Sequence, residues 1–505
     1  MSRPLKIIPW MYGIILFYAF WAPNYWFNWG GSLFDNRRLW QVIWFAVAGL
    51  SILLLPSVRQ AALNRWFSLT AWVRWGLGGL LLIGCLSALI NAIVPSVAFM
   101  GVSFYTLAGI SCLVLGGYFY QYPGHWRYLL YVFYVLIVLY VGHIITYMVF
   151  MTYDPSYTMA FKIHYIHDLF RHYHFSNPRF FDHLLTFLWP LAILPCLQPN
   201  QFRRSLQWAG LLVTALVFFL IIAHQLRAVA LEWFAVLFVL IVFVRNRLGW
   251  RFIGYQVLAL MLGILLIYFV QIWQMAHLDH LITQTAASRN AIHSNSERLY
   301  LIRIALSAGL SHPLVGVGSW QTPYYLQAFF FGDAEQAQAI LPLYFHLFDY
   351  VSVPTGVSSV HGFFWRVLSE WGVIAFIGVM SMIVYGLWRW VVARGLSSGQ
   401  SLTFAMSLIA GLAHALVSGT LLTPLGVLVG SLVIGLALST NPTQSPKALC
   451  RWRQWGLMVV ATIAIVGLLC PLLYQQTLLQ HVTQVNPYTK APVFWSVGWW
   501  SVFYQ

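Results

Sequence analysis

Three stretches carry the residue types that could do chemistry: HQLRAVALEW around Arg227, SERLYLIRIALSAGLSHPLVGVGSW with Arg298 and Arg303, and SSVHGFFWRVLSEWGV with His361, Arg366 and Glu370. Fixed guanidinium groups pair two-toothed with phosphate oxygens, so arginines suit a diphosphate and can stabilise it as a leaving group without a metal. A neutral imidazole can take a proton from an incoming hydroxyl near neutral pH. Arg366 and Glu370 stand four residues apart, so a helix puts them on one face as an ion pair. Glu232 lies about one and a half turns beyond Arg227. Taken singly each residue has an ordinary reading. An arginine at a span end can extend its charged head toward the membrane surface, and a lone histidine there is usually a polar contact.

The elements that must position these groups are membrane spans. The chain has 505 residues, 60% hydrophobic and 8% charged, with a mean hydropathy of +0.75, more apolar surface than a water-soluble fold can hide. Runs such as VIWFAVAGLSILLL lack the alternation of a β-barrel, so the fold class is an all-α polytopic membrane protein. Apolar windows predict 13 transmembrane helices, near 7–23, 40–56, 76–95, 98–120, 129–150, 183–198, 206–224, 228–244, 252–271, 369–388, 402–419, 421–440 and 455–475. MSRPLK leads straight into the first window, which reads as an uncleaved anchor.

Charge sets the expected orientation. With the N-terminus inside, one set of loops carries basic residues from Arg3 to Arg453 and contains no Asp or Glu. Nine of the eleven acids fall on the opposite side, Asp182 among them, and the other two, Glu232 and Glu370, fall inside or at the edge of spans. The net charge of +16 is thus a topology signal. Without a dense basic block it gives no reason to expect nucleic acid. Two long connections, 151–182 and 272–361, face the outer side, so chemistry is expected there. This divides the chain into N-terminal spans (1–271), a large outer loop (272–361), C-terminal spans (362–475) and an aromatic outer tail (476–505). In the large loop Leu299, Ile302, Leu306 and Leu310 form a stripe suited to a helix lying on the membrane, ended by Pro313, Gly316 and Gly318. The five cysteines show no metal-ligand spacing and DxD-type acid clusters are missing, so neither metal nor cofactor is expected.

Together the three stretches resemble the bacterial superfamily of O-antigen ligases, O-antigen polymerases and protein O-oligosaccharyltransferases. HQLRAVAL resembles its arginine-at-span-start motif, RLYLIRIALSAGLSHPLVGVGSW its arginine helix followed by His-Pro-Leu-x-Gly-x-Gly, and HGFFWRVLSEWGV its His-Asn-x-x-Leu-x-x-x-x-Glu-x-Gly motif. The chain departs from these patterns at Leu226, Ala228, Ile302, Gly362, Trp365 and Arg366. The resemblance implies a GT-C-like glycosyltransferase of the inner membrane with a periplasmic catalytic loop and an undecaprenyl-diphosphate-linked oligosaccharide as donor. By motif position, Arg227 and Arg298 would bind the diphosphate, with Arg303 and Arg366 as further substrate contacts. His361 would activate the acceptor hydroxyl, or orient it, for direct displacement with inversion, and Glu370 and Glu232 would support the site. The aromatic tail favours a protein acceptor such as a pilin, ahead of lipid A core and of another glycan repeat. A lipid-linked glycan flippase or other transporter is the rival class, disfavoured because no internal repeat is visible and the acids are peripheral.

Overall fold

The computed structural model describes residues 7–21, 33–92, 95–154, 156, 158, 178–224, 228–278, 302, 305–321, 362–393, 396, 398–440 and 451–479. Among these residues the chain is helical throughout. The helices are α1 (Ile7–Trp21), α2 (Leu33–Leu54), α3 (Pro56–Ser68), α4 (Ala71–Ile90), α5 (Pro95–Gln121), α6 (Trp126–Tyr153), α7 (Pro178–Ala192) and α8 (Leu194–Leu197). They continue as α9 (Arg204–Ala223), α10 (Ala228–Val239), α11 (Arg247–Leu278), α12 (Phe363–Trp388), α13 (Gly399–Val417), α14 (Pro424–Ser439) and α15 (Arg451–Leu479). All thirteen apolar windows fall on helices. Eight of these are long and apolar enough to cross a bilayer, and a ninth candidate is the pair α2–α3, bent by 103°. The other four are shorter apolar helices, including Phe181–Leu197 and Ala228–Val244.

Burial divides the bundle. The apolar window of α5 is 72% buried, against 17% for that of α15, so α5 is a core element while α15 offers its side chains to lipid. α5 packs against α2, α3, α4, α14 and α15. Aromatic rings fill its surroundings: Phe45 meets Phe104 edge-on at 5.0 Å, and Trp44 donates to Ser111 Oγ at 2.6 Å.

The two ends of the bundle differ. At one end Trp75, Trp208, Trp250, Trp388, Trp452 and Trp455 are exposed, as an interfacial aromatic belt requires. Arginines there satisfy the open carbonyls of helix C-termini. Arg59 Nη1 donates to the Ile52 and Leu53 carbonyls at 3.2 Å, and Arg74 Nη1 to those of Phe67 and Leu69 at 3.0 Å. Cations at that pole also oppose the helix dipole. The other end holds the junctions α4–α5, α9–α10 and α13–α14 and the start of α12. It receives the described parts of the three stretches singled out by their chemistry.

Candidate active site

α12 is not a continuous helix. Gly372 has φ 81° and ψ 179°, a conformation open to glycine and strained for any L side chain. The break releases backbone groups that an unbroken helix would pair internally. The Val373 N–H no longer serves Ser369 and donates instead to the Pro313 carbonyl at 2.9 Å. Ser369 O accepts from Val317 N at 3.0 Å, and Glu370 O accepts from Gly318 N at 2.9 Å and from Ser87 Oγ at 2.9 Å. The turn His312–Gly318 is thereby stitched, backbone to backbone, into the kink. In a membrane each of those groups would otherwise be costly to leave unpaired.

The fit admits no Cβ on either side. One built on Gly316, whose φ is +64°, would stand 2.3 Å from the Glu370 carbonyl carbon. One built on Gly372 would stand 2.7 Å from Pro313 O. At the end of α4, Asn91 Nδ2 donates to Gly316 O at 2.7 Å, and on α12 itself Trp371 Nε1 donates to Ser319 Oγ at 2.6 Å. Trp320 is buried with its ring 5.4 Å from Phe104.

The helix before this turn packs by its small residues. In the helical stretch 305–311, Ala305 and Ala308 are buried and Gly309 comes within contact of Leu368 on α12. Leu306 and Leu310, part of the apolar stripe in the sequence, are exposed. The stripe therefore faces away from the bundle, as a helix resting in lipid would place it, and the Ala/Gly face grips α12.

Arg366 and Glu370 form the expected ion pair, with Nε donating to Oε1 at 2.5 Å and both side chains buried. The backbone of Trp320 adds a hydrogen bond to the Glu370 carboxylate, so the 312–321 turn and α12 share this acid as well. Removing either member would strand a charge in the bundle. Arg366, read from the sequence as a substrate contact or a partner of Glu370, is joined to Glu370 through Nε.

Glu232 is fully buried, accepts two hydrogen bonds from α7 and lies against His414 of α13. Thr186 Oγ1 donates to Oε1 at 2.9 Å and Trp189 Nε1 to Oε2 at 2.9 Å. His414 Nδ1 lies 2.8 Å from Oε1 and 2.6 Å from Thr186 Oγ1. Beside it His183 bridges Thr423 Oγ1 (2.7 Å) and Ser418 Oγ (2.9 Å), and His224 Nδ1 faces Asp182 Oδ1 at 3.4 Å. Asp182, assigned to an outer loop from the sequence, is instead a buried residue of α7, because that helix begins at Pro178. Among the described residues no group of three or more His, Cys, Asp or Glu is placed to hold a metal ion.

Arg227, Arg298, Arg303 and His361 lie outside the described residues. Their neighbours are described. Gly362, next after His361, has φ +103° and sits against the Leu416 and Ala415 carbonyls at the end of α13. Two residues back along α13 is His414, bonded to Glu232, and Glu232 lies in α10, which begins immediately after Arg227. α12, whose first turn follows Gly362, carries the kink that holds the 312–318 turn. Segments flanking the three stretches thus meet at one end of the bundle. His414, Thr186, Trp189 and His183 were missed in the sequence. The available signal was polar and ionisable residues inside otherwise apolar spans, DHLLTFLW and GLAHALV.

Fold and site define a polytopic helical membrane protein with a buried polar constellation at one end. A family model described as O-antigen ligase matches residues 210–380, the part of the chain that holds all seven candidate residues. Residues 210–380 are thus similar to the O-antigen ligase family, as their motifs imply, and that similarity supports a transferase. A comparison with curated proteins finds no match.

Proposed function

We propose that the protein moves an oligosaccharide from undecaprenyl diphosphate to an acceptor hydroxyl at the periplasmic face of the bacterial inner membrane. The observation that carries this reading is the docking of the 312–318 turn into the Gly372 kink. It joins two of the three motif stretches by direct contact within the segment matched by the O-antigen ligase model. The arginine-rich, tryptophan-ringed end then faces the cytoplasm by the positive-inside rule, and the motif end faces outward.

In this reaction the acceptor oxygen attacks the anomeric carbon from the side opposite the diphosphate. The new C–O bond forms as the carbon–oxygen bond to phosphate breaks, with inversion. His361 takes the acceptor proton, and the electron pair of the broken bond leaves on undecaprenyl diphosphate. Arg227 and Arg298 stabilise the charge that develops there, with Arg303 and Arg366 as further substrate contacts. Glu370 and Glu232 hold the helices that carry these groups. The guanidinium groups supply charge stabilisation that would otherwise fall to a metal. The favoured acceptor is a protein Ser/Thr such as a pilin, supported by the aromatic stretch 476–505; lipid A core is the alternative.

The test is purified full-length protein in vesicles with the lipid-linked donor and, in separate arms, a pilin and a lipid A core acceptor. No ATP is added, chelator is present, and products are read by intact mass. Covalent glycan on one acceptor is the expected result, and the arm in which it appears fixes the acceptor class. Donor crossing the bilayer with no covalent product in either arm overturns the reading in favour of a transporter.

A further inference from the structure

The contacts of Glu232 join parts of the chain that the proposed reaction needs to hold in register. Its helix, α10, begins at Ala228, immediately after Arg227. Its partner His414 lies in the last turn of α13, and the next carbonyls of that turn, Ala415 and Leu416, are the surface under Gly362, the residue after His361. Thr186 and Trp189 on α7 complete the acid's shell. A carboxylate inside a span costs about 2.5–3.5 kcal/mol on insertion scales, so apolar packing would join three helices more cheaply. What apolar packing does not supply is direction. Two donors and an imidazole converging on one carboxylate, with the imidazole also bonded to Thr186, fix how far α10 can slide or turn against α7 and α13.

We infer that the buried His414–Glu232 pair is a positioning clamp, locking the outer end of α10, which follows Arg227, to the outer end of α13, against which Gly362, the residue after His361, sits. His414 and Glu232 touch no substrate. They act through the groups they align, so the catalytic consequence rests on the transfer reading above. Each half can still bind its own substrate without the clamp, but the reacting atoms lose their alignment.

That separates the clamp from a generic stabilising contact. In full-length protein reconstituted in vesicles, with the acceptor that the wild type uses, His414→Ala should lower kcat about 100-fold, the scale expected for a displacement near 1 Å, with donor KM within about twofold. His414→Asn, whose amide can take the place of Nδ1, should restore most of the loss. A second measurement does not depend on turnover. Spin labels on Ala230→Cys and Leu416→Cys, in a background freed of the native cysteines, should show a single narrow distance that broadens in His414→Ala and narrows again in His414→Asn. Folded His414→Ala with wild-type kcat, or with an unchanged distance distribution, overturns the clamp. If the wild type transfers no glycan at all, the transfer reading fails while the distance measurement still decides the clamp.

Discussion

The two ends of the bundle are both rich in ionisable residues, and they use them in opposite ways. At the tryptophan-ringed end the arginines are spread over many short connections and bond to helix-end carbonyls, Arg59 and Arg74 to those of nearby residues and the buried Arg65 to that of Leu438 on α14. At the motif end, ionisable side chains are buried and joined to one another, Glu232 with His414 and Asp182 with His224 across distant parts of the chain and Arg366 with Glu370 across one helical turn. The first pattern is what a membrane boundary asks of any protein. The second is costly in lipid and needs several partners to be assembled at once. Charge near a membrane edge is therefore a weak sign of chemistry, and burial with long-range pairing is a stronger one.

The largest break in that comparison is expected at His361. His361→Ala should abolish transfer while donor binding stays largely intact, measured by single-turnover transfer and by equilibrium binding of the lipid-linked donor. Normal turnover in this variant would remove the histidine from the mechanism and leave the motif end without a base.

Next come the buried partners. Arg366→Ala or Glu370→Ala should each destabilise the protein by about 3–5 kcal/mol, because each strands the other charge. Replacing both with apolar residues of similar volume should cost far less. Thermal unfolding of the single and double variants in the same detergent checks this, and a double cost equal to the sum of the two single costs would mean the pair has no energetic coupling. Gly316→Ala should cost about 2–4 kcal/mol from strain at positive φ and from overpacking against the Glu370 backbone. It should lower transfer in step with the loss of folded protein.

A smaller effect is expected at the donor arginines. Arg227→Lys or Arg298→Lys keeps the charge but loses the planar two-toothed contact, and should weaken donor use about tenfold. Unchanged donor affinity in both variants would put the diphosphate elsewhere.

How much of this was legible in the sequence follows from the range of the forces involved. The spans were legible because hydropathy is a local sum, and every window landed on a helix. Arg366–Glu370 was legible because its partners stand one helical turn apart. The kink was not, since Gly372 reads as an ordinary span glycine until the 312–318 turn is set beside it. Nor was the Ala305–Ala308–Gly309 face: in lipid the protein-facing side of a helix is its small side, and the apolar stripe drew attention to the opposite one. The Thr186–His414 contact spans 228 positions and leaves no spacing to find.

The smallest expected effects lie at the opposite end, and they are what give the comparison its force. Trp455 is exposed on α15, and Arg453 places its guanidinium 4.5 Å from the Phe67 ring at the surface. Neither is buried in a network of partners. Arg453→Gln and Trp455→Ala should each change stability by no more than about 0.5 kcal/mol, as surface substitutions do. Donor KM and kcat should stay within about twofold of wild type. Arg453→Gln removes one positive charge from loops that hold many, so orientation should also be kept, read by labelling a cysteine introduced at Leu416 from outside spheroplasts. A tenfold loss of transfer in either variant, with the protein folded and correctly oriented, would mean that the exposed end takes part in the reaction. The contrast between a boundary that merely meets the membrane and an end that does chemistry would then be wrong for this fold.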